Sequence, residues 1–87
     1  MNNTIGEVIN LTDDMCELFY QQKNEEALGK MNIFLNNVVA ISGSLSDEDG
    51  QKVLGVLTEA LNAMEAKDYV LLADILKYDM IDVLKAV

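Results

Sequence analysis

The chain has no proline, histidine, arginine or tryptophan, and it has a single cysteine. Proline interrupts helices, so its absence favours long helices joined by short turns. Without arginine and histidine, the chain lacks the usual groups for bidentate phosphate binding and for proton transfer near neutral pH. We therefore expect no enzyme and no catalytic residue.

The single cysteine, Cys16, cannot form an internal disulfide, which is typical of a cytoplasmic protein. It lies on an apolar helix face without a basic neighbour, so we predict an inert, buried thiol. The first residues lack the basic segment and apolar core of a signal peptide. No apolar run approaches the roughly 20 residues that span a bilayer.

The 15 acidic residues outnumber the 6 lysines, giving a net charge of −9. This charge disfavours nucleic acid and anionic membranes as partners, since both are themselves negative. Acidity alone promotes solubility. The partners that the charge permits are a helical or basic protein segment and, through an apolar surface, a second copy.

Helical periodicity runs through the sequence in four segments, at about residues 4–22, 24–42, 47–66 and 68–86. Short connections make successive helices antiparallel neighbours. We predict a single all-α domain over residues 1–87, a small up-down-up-down four-helix bundle. No glycine or proline marks the last boundary, so one long bent helix is an alternative there.

Several residues match helix-end signals, which satisfy the free backbone groups of a helix. The predicted signals are a Thr4–Glu7 capping box, N-caps at Asn24, Ser46 and Asp68, and a left-handed Gly43 ending the second helix.

Apolar stripes predict the core-facing side of each helix. On the second helix the stripe is Ala27, Leu28, Met31, Phe34, Leu35, Val38, Val39 and Ile41, and Ile33 falls on the polar side. On the third it is Val53, Leu54, Leu57, Ala60, Leu61 and Met64.

The acidic run at residues 46–50 superficially resembles a calcium loop. With Gly50 at the sixth loop position, Leu45 and Val56 would occupy the first and twelfth, and neither has a side-chain oxygen. A di-metal carboxylate site would need histidine. We predict that the run is a helix N-terminus, and we expect neither a metal nor a cofactor.

The small, acidic, four-helical character also resembles acyl carrier proteins. Their prosthetic group is attached to a serine in an Asp-Ser-Leu motif at the start of the second helix. The nearest match here is Gly43-Ser44-Leu45, which lacks the aspartate and precedes the third helix. An acyl-carrier-like protein is therefore one alternative.

The last helix has a second apolar stripe on the side opposite its core stripe: Leu71, Ile75 and Tyr78, spaced by four and three residues. A helix that is apolar on both sides is usually covered on both sides. These three residues are the predicted partner-binding site. A second copy or another protein would cover them, unless they are singly exposed and have no role.

The segment EAKDYVLLADILKYD, residues 65–79, resembles the last helix of an uncharacterised family of short helical proteins from clostridia-like Gram-positive bacteria. Some members of that family are associated with motility or cell-surface gene clusters. The overall plan is also similar to flagellin export chaperones. These resemblances imply a helical accessory protein and no catalytic residue.

The main hypothesis from the sequence is a non-enzymatic interaction or adaptor module that self-associates as a homodimer. A chaperone-like holder of a helical client, from motility or cell-surface export, is an alternative that uses the same stripe.

Overall fold

The computed structural model describes residues 5–87. The elements are α1 (Ile5–Tyr20), α2 (Asn24–Ser44), α3 (Asp47–Glu65), α4 (Tyr69–Asp74), a π-helical segment (Ile75–Met80) and α5 (Ile81–Ala86). The last three follow one another without a break and are called here the C-terminal helix. The described residues contain no strand, which confirms the all-α prediction. Within them, no helix is both long and apolar enough to cross a membrane.

The helices form a closed ring of neighbours. The first packs on α2, α2 on α3, α3 on the C-terminal helix, and the C-terminal helix on α1. Cys16 contacts Ala73, whereas the later residue Phe19 stacks on the earlier Tyr69. These two contacts show that α1 and the C-terminal helix are antiparallel. The four-helix bundle is therefore confirmed.

The core is formed by residues at spacings of three and four on each helix. On α1, the buried residues are Val8, Thr12, Met15, Cys16 and Phe19. Those of α2 are Ala27, Met31, Phe34, Val38 and Ile41. In α3 and the C-terminal helix, the most buried are Val53, Ala60, Leu72, Ala73, Leu76, Met80 and Leu84.

Two members of the predicted core stripes lie at the surface. Val39 and Leu54 are both among the exposed large hydrophobic residues. Each is next in sequence to a fully buried valine, Val38 or Val53, and is therefore turned about 100° away from it. Ile33 is exposed, as predicted from its position on the polar side.

The N-caps of α3 and α4 are confirmed. The Ser46 hydroxyl accepts a hydrogen bond from the Asp49 amide at 3.2 Å. The Asp68 carboxylate accepts one from the Leu71 amide at 3.1 Å. The predicted capping box includes Thr4, which lies outside the described residues.

Two predicted helix ends are wrong. Lys23, and not Asn24, is the residue before α2, and the side-chain oxygen of Asn24 is buried without a hydrogen-bond partner among the described residues. Gly43 does not end the helix in a left-handed conformation, because no glycine in the described residues has a positive φ. The helix continues to Ser44, and extended Leu45 ends it.

The left-handed positions are occupied instead by Gln22 (φ 63°) and Lys67 (φ 58°). The residue after each donates an amide hydrogen bond five residues back, from Lys23 to Leu18 at 2.8 Å and from Asp68 to Ala63 at 3.0 Å. This is the Schellman pattern. It separates α3 from α4, so the alternative of one long bent helix is wrong.

Gly50 allows α2 and α3 to approach closely at their connection. A Cβ atom at this position would lie 3.1 Å from the Ser42 carbonyl oxygen. That distance is tight for a carbon–oxygen contact, so a larger residue would push the ends of the two helices apart.

Candidate functional site

The three residues of the predicted partner-binding site do not share one surface. Leu71 is 47% exposed and Tyr78 is 59% exposed, but Ile75 is only 8% exposed. Ile75 belongs to the hydrophobic core, so its predicted place on the outer side of the helix is wrong.

The π-helical segment explains why Tyr78 does not lie on the same face as Leu71 and Ile75. The Ile81 amide donates to the Leu76 carbonyl five residues back, where an α-helix would bond four back. A π turn includes one more residue than an α turn, so the residues along it rotate by less per step. Periodicity of 100° per residue holds from Leu71 to Ile75 and fails from Ile75 to Tyr78.

Leu71 and Ile75 line one side of an open groove of about 520 Å³ between α3 and the C-terminal helix. The small residues Ala63 and Ala66 line the other side. Ala63 is nearly fully buried, whereas Leu71 is about half exposed. The groove is therefore an apolar depression with one large accessible side chain at its edge.

Polar residues surround this apolar surface. They are Glu59, Asn62, Asp68 and Asp79, three of them carboxylates, and none of the groove's lining residues is a lysine. No group of three or more potential ligand residues within residues 5–87 is arranged to hold a metal ion. The three carboxylates of the lining are separate negative charges beside the apolar residues.

The comparison with family models matches the whole chain, residues 1–87, to a family described as a domain of unknown function, DUF8042. The chain belongs to the DUF8042 family. No curated protein matches the chain. No solved structure matches it either.

In this DUF8042 domain, Tyr78 lies beside α1 and away from the groove. The Lys77 ammonium group is 5.8 Å from the Tyr78 ring centre and 5.5 Å from that of Tyr20. The Tyr20 hydroxyl donates to Asp74 at 2.6 Å, and this hydrogen bond raises the pKa of Tyr20. The cluster fastens α1 to the C-terminal helix at the surface.

Cys16 is buried, and its thiol donates to the Ala73 carbonyl at 3.5 Å. Burial, with a smaller contribution from Asp13, raises the pKa of the thiol to about 12. Reactive cysteines have a lowered pKa and some exposure. Cys16 has neither, as its apolar neighbours predicted.

Ser44 lies in the last turn of α2, where its hydroxyl donates to the Ile41 carbonyl at 2.9 Å. Asp47, Glu48 and Asp49 form the first turn of α3, as predicted for the acidic run. Negative charge stabilises a helix N-terminus there.

Sequence reasoning found Leu71 but missed the α3 half of the groove. Ala63 and Ala66 both lie within the Schellman turn that ends α3, Ala63 as the acceptor of its longer hydrogen bond and Ala66 as the C-cap. What marks these two alanines is their small size opposite the larger Leu71 and Ile75. This contrast can be recognised only when it is known that α3 packs beside the C-terminal helix.

Proposed function

We propose that this DUF8042 domain is a non-enzymatic protein-interaction module whose groove holds an apolar side chain from a basic, helical segment of a partner. The observation that carries the proposal is the apolar surface of Leu71, Ile75, Ala63 and Ala66, bordered by carboxylates.

The groove has the size and composition of a small binding site. Its volume of about 520 Å³ falls within the range of about 300–1,000 Å³ that is usual for ligand pockets. Amphipathic helices bind such grooves through apolar residues at spacings of three and four. A leucine-sized side chain placed against Leu71 would exclude water from both.

The charges favour a basic partner. Glu59, Asp68 and Asp79 border the groove, on a chain with a net charge of −9. Lysine or arginine residues flanking the apolar anchor would meet these carboxylates, and the field of the domain would speed their encounter. A second copy of this acidic chain would meet like charges, which disfavours self-association at the groove.

A chaperone-like role is one form of this function, in which the partner is a helical client with basic residues beside its apolar face. The lone, buried Cys16 is compatible with a reducing compartment such as the cytoplasm.

The test uses two synthetic amphipathic helices, each about five turns long, with identical leucine positions and either lysine or glutamate on the polar face. Fluorescence anisotropy gives the dissociation constant of each peptide. We expect the lysine peptide to bind and the glutamate peptide not to bind.

Leu71→Asp and Val70→Asp separate groove binding from general attraction. Both variants add one negative charge at an exposed position of α4, but only Leu71 lines the groove. Leu71→Asp should raise the dissociation constant of the lysine peptide at least about tenfold, because apolar burial is lost. Val70→Asp should change that dissociation constant less than about twofold. If Leu71→Asp binds as well as Val70→Asp, the peptide is held by net charge alone and the proposal is wrong.

A further inference from the structure

The outer surface of α2 differs from the rest of this acidic domain because it carries no charge over most of its length. Residues 31–46 include no aspartate, glutamate or lysine. Lys30, just before them, is half-buried and lies near Asp14 and Glu17 of α1. The exposed residues of this neutral face are Gly29, Asn32, Ile33, Asn36, Val39, Ala40, Gly43 and Ser44.

Two large apolar residues of the neutral face are open to solvent, Ile33 at 57% and Val39 at 56% exposure. Two of its positions are glycines, Gly29 and Gly43, although a Cβ atom on either would meet nothing within 4 Å. Glycine inside a helix is unfavourable relative to alanine. The folded chain alone gives no reason for either glycine.

The neutral face is also symmetric about Asn36. Ile33 and Val39 lie three residues before and after it, and Gly29 and Gly43 lie seven residues before and after it. In a two-fold contact between antiparallel helices, residues equidistant from the centre face each other. Ile33 of one copy would then meet Val39 of the other, and Gly29 would meet Gly43.

We infer that the domain self-associates through α2, with two copies antiparallel about a two-fold axis near Asn36. Charge points to a second copy as the occupant, because two chains that each have a net charge of −9 repel each other least where their surfaces are neutral. The glycines and Ala40 let the two helix backbones come close. This surface is separate from the groove, so either can exist without the other.

The proposed contact is small. Residues 29–44 of α2 extend over about 24 Å, and a contact between single helices is at the small end of specific interfaces. The dimer should therefore be weak and dependent on protein concentration.

Engineered cysteines test the geometry in the full chain, because native Cys16 is buried and stays unreactive. Asn36→Cys should form a disulfide-linked dimer under mild oxidation. Ile33→Cys should cross-link with Val39→Cys when the two proteins are mixed, and each should cross-link poorly alone. In this antiparallel arrangement, residue 33 of one copy and residue 33 of the other would lie about 9 Å apart along the helix axis. A disulfide cannot span that distance.

The other results of this experiment contradict the geometry. Efficient cross-linking of Ile33→Cys with itself would indicate parallel helices. Asn36→Cys that cross-links no faster than Val70→Cys, an exposed position on α4, would indicate that α2 is not an interface.

Sedimentation equilibrium from about 10 μM to about 1 mM tests association without cross-linking. Ile33→Glu/Val39→Glu should raise the dimer dissociation constant at least about tenfold, since it places charges in the contact. Asn10→Glu/Val70→Glu adds the same charge at exposed positions on α1 and α4 and should raise the constant less. The inference would be overturned if the wild-type protein kept a mass of 9.6 kDa at every concentration. It would also be overturned if both double variants raised the dimer dissociation constant equally.

Discussion

The groove beside α3 and the neutral face of α2 both expose apolar residues, but their surroundings differ in charge. Three carboxylates border the groove. The neutral face lies within the uncharged residues 31–46. Apolar exposure alone would assign both surfaces the same kind of partner. The charges around them are the reason for proposing a basic segment at the groove and a second copy at the neutral face, and each proposal can be tested.

The largest expected effect tests whether the neutral face is dispensable for folding. Phe34 is fully buried on the inner side of α2, whereas its neighbour Ile33 is exposed. Phe34→Ala should lower the free energy of unfolding by about 3–5 kcal/mol, and Ile33→Ala should change it by less than about 0.5 kcal/mol. Urea denaturation at low protein concentration measures both. A large loss from Ile33→Ala would make Ile33 part of the monomer's core.

Salt should separate the two surfaces by the sign of its effect. Raising NaCl from about 0.05 M to about 0.5 M screens charge interactions. Binding of the lysine peptide should weaken by about tenfold, because it depends on opposite charges. Dimerisation should strengthen, because screening reduces the repulsion between two acidic chains. Anisotropy and sedimentation measure these constants, and a change of the same sign in both would remove the distinction.

The glycines of the neutral face give a smaller effect. Gly29→Ala and Gly43→Ala should each stabilise the monomer by about 0.5–1 kcal/mol, since space for a methyl group is available. Both should weaken the dimer by separating the backbones. Gly55→Ala is the matched control, because Gly55 is exposed on α3 and has equal space. It should stabilise the monomer and leave the dimer unchanged, and dimer weakening by all three would contradict the predicted contact.

The smallest expected change in binding concerns the turn beside the groove. Lys67 has a φ of 58°, so Lys67→Gly should relieve strain and stabilise the domain by about 1 kcal/mol. It also removes a positive charge between two groove residues, Ala66 and Asp68, so the lysine peptide should bind slightly tighter. Gln22→Gly relieves similar strain at the other turn and should leave peptide binding unchanged. Equal peptide affinity in both variants would show that Lys67 does not influence the groove.

Much of the fold follows from the sequence because helix periodicity and capping are local. Ser46 and Asp68 cap the helices that they were predicted to cap. Gly43 was misread because a glycine near a helix end permits the left-handed conformation without requiring it. The observed ends depend on residues such as Lys67, whose strain other contacts must offset.

The candidate site could be predicted only in part. Leu71 was identified from its spacing, and Ile75 lies one turn further on, but Ile75 is covered by core packing that the spacing does not show. Tyr78 was misplaced because the π-helical segment breaks the period used to place it. The α3 side of the groove depends on which helices become neighbours. The neutral face was visible in the sequence as a long uncharged run, yet its significance required knowing which of those residues are exposed.

The π-helical segment divides the C-terminal helix into two α-helical pieces of six residues each. Helices that short are unstable by themselves in water. The piece beyond the segment therefore depends on the contacts of buried Met80 and Leu84. Its amide protons should exchange with solvent through openings smaller than global unfolding. Ile75 belongs to both the π-helical segment and the groove lining. A partner bound in the groove would therefore slow this exchange, and the rate of deuterium uptake by residues 81–86 would report whether the groove is occupied.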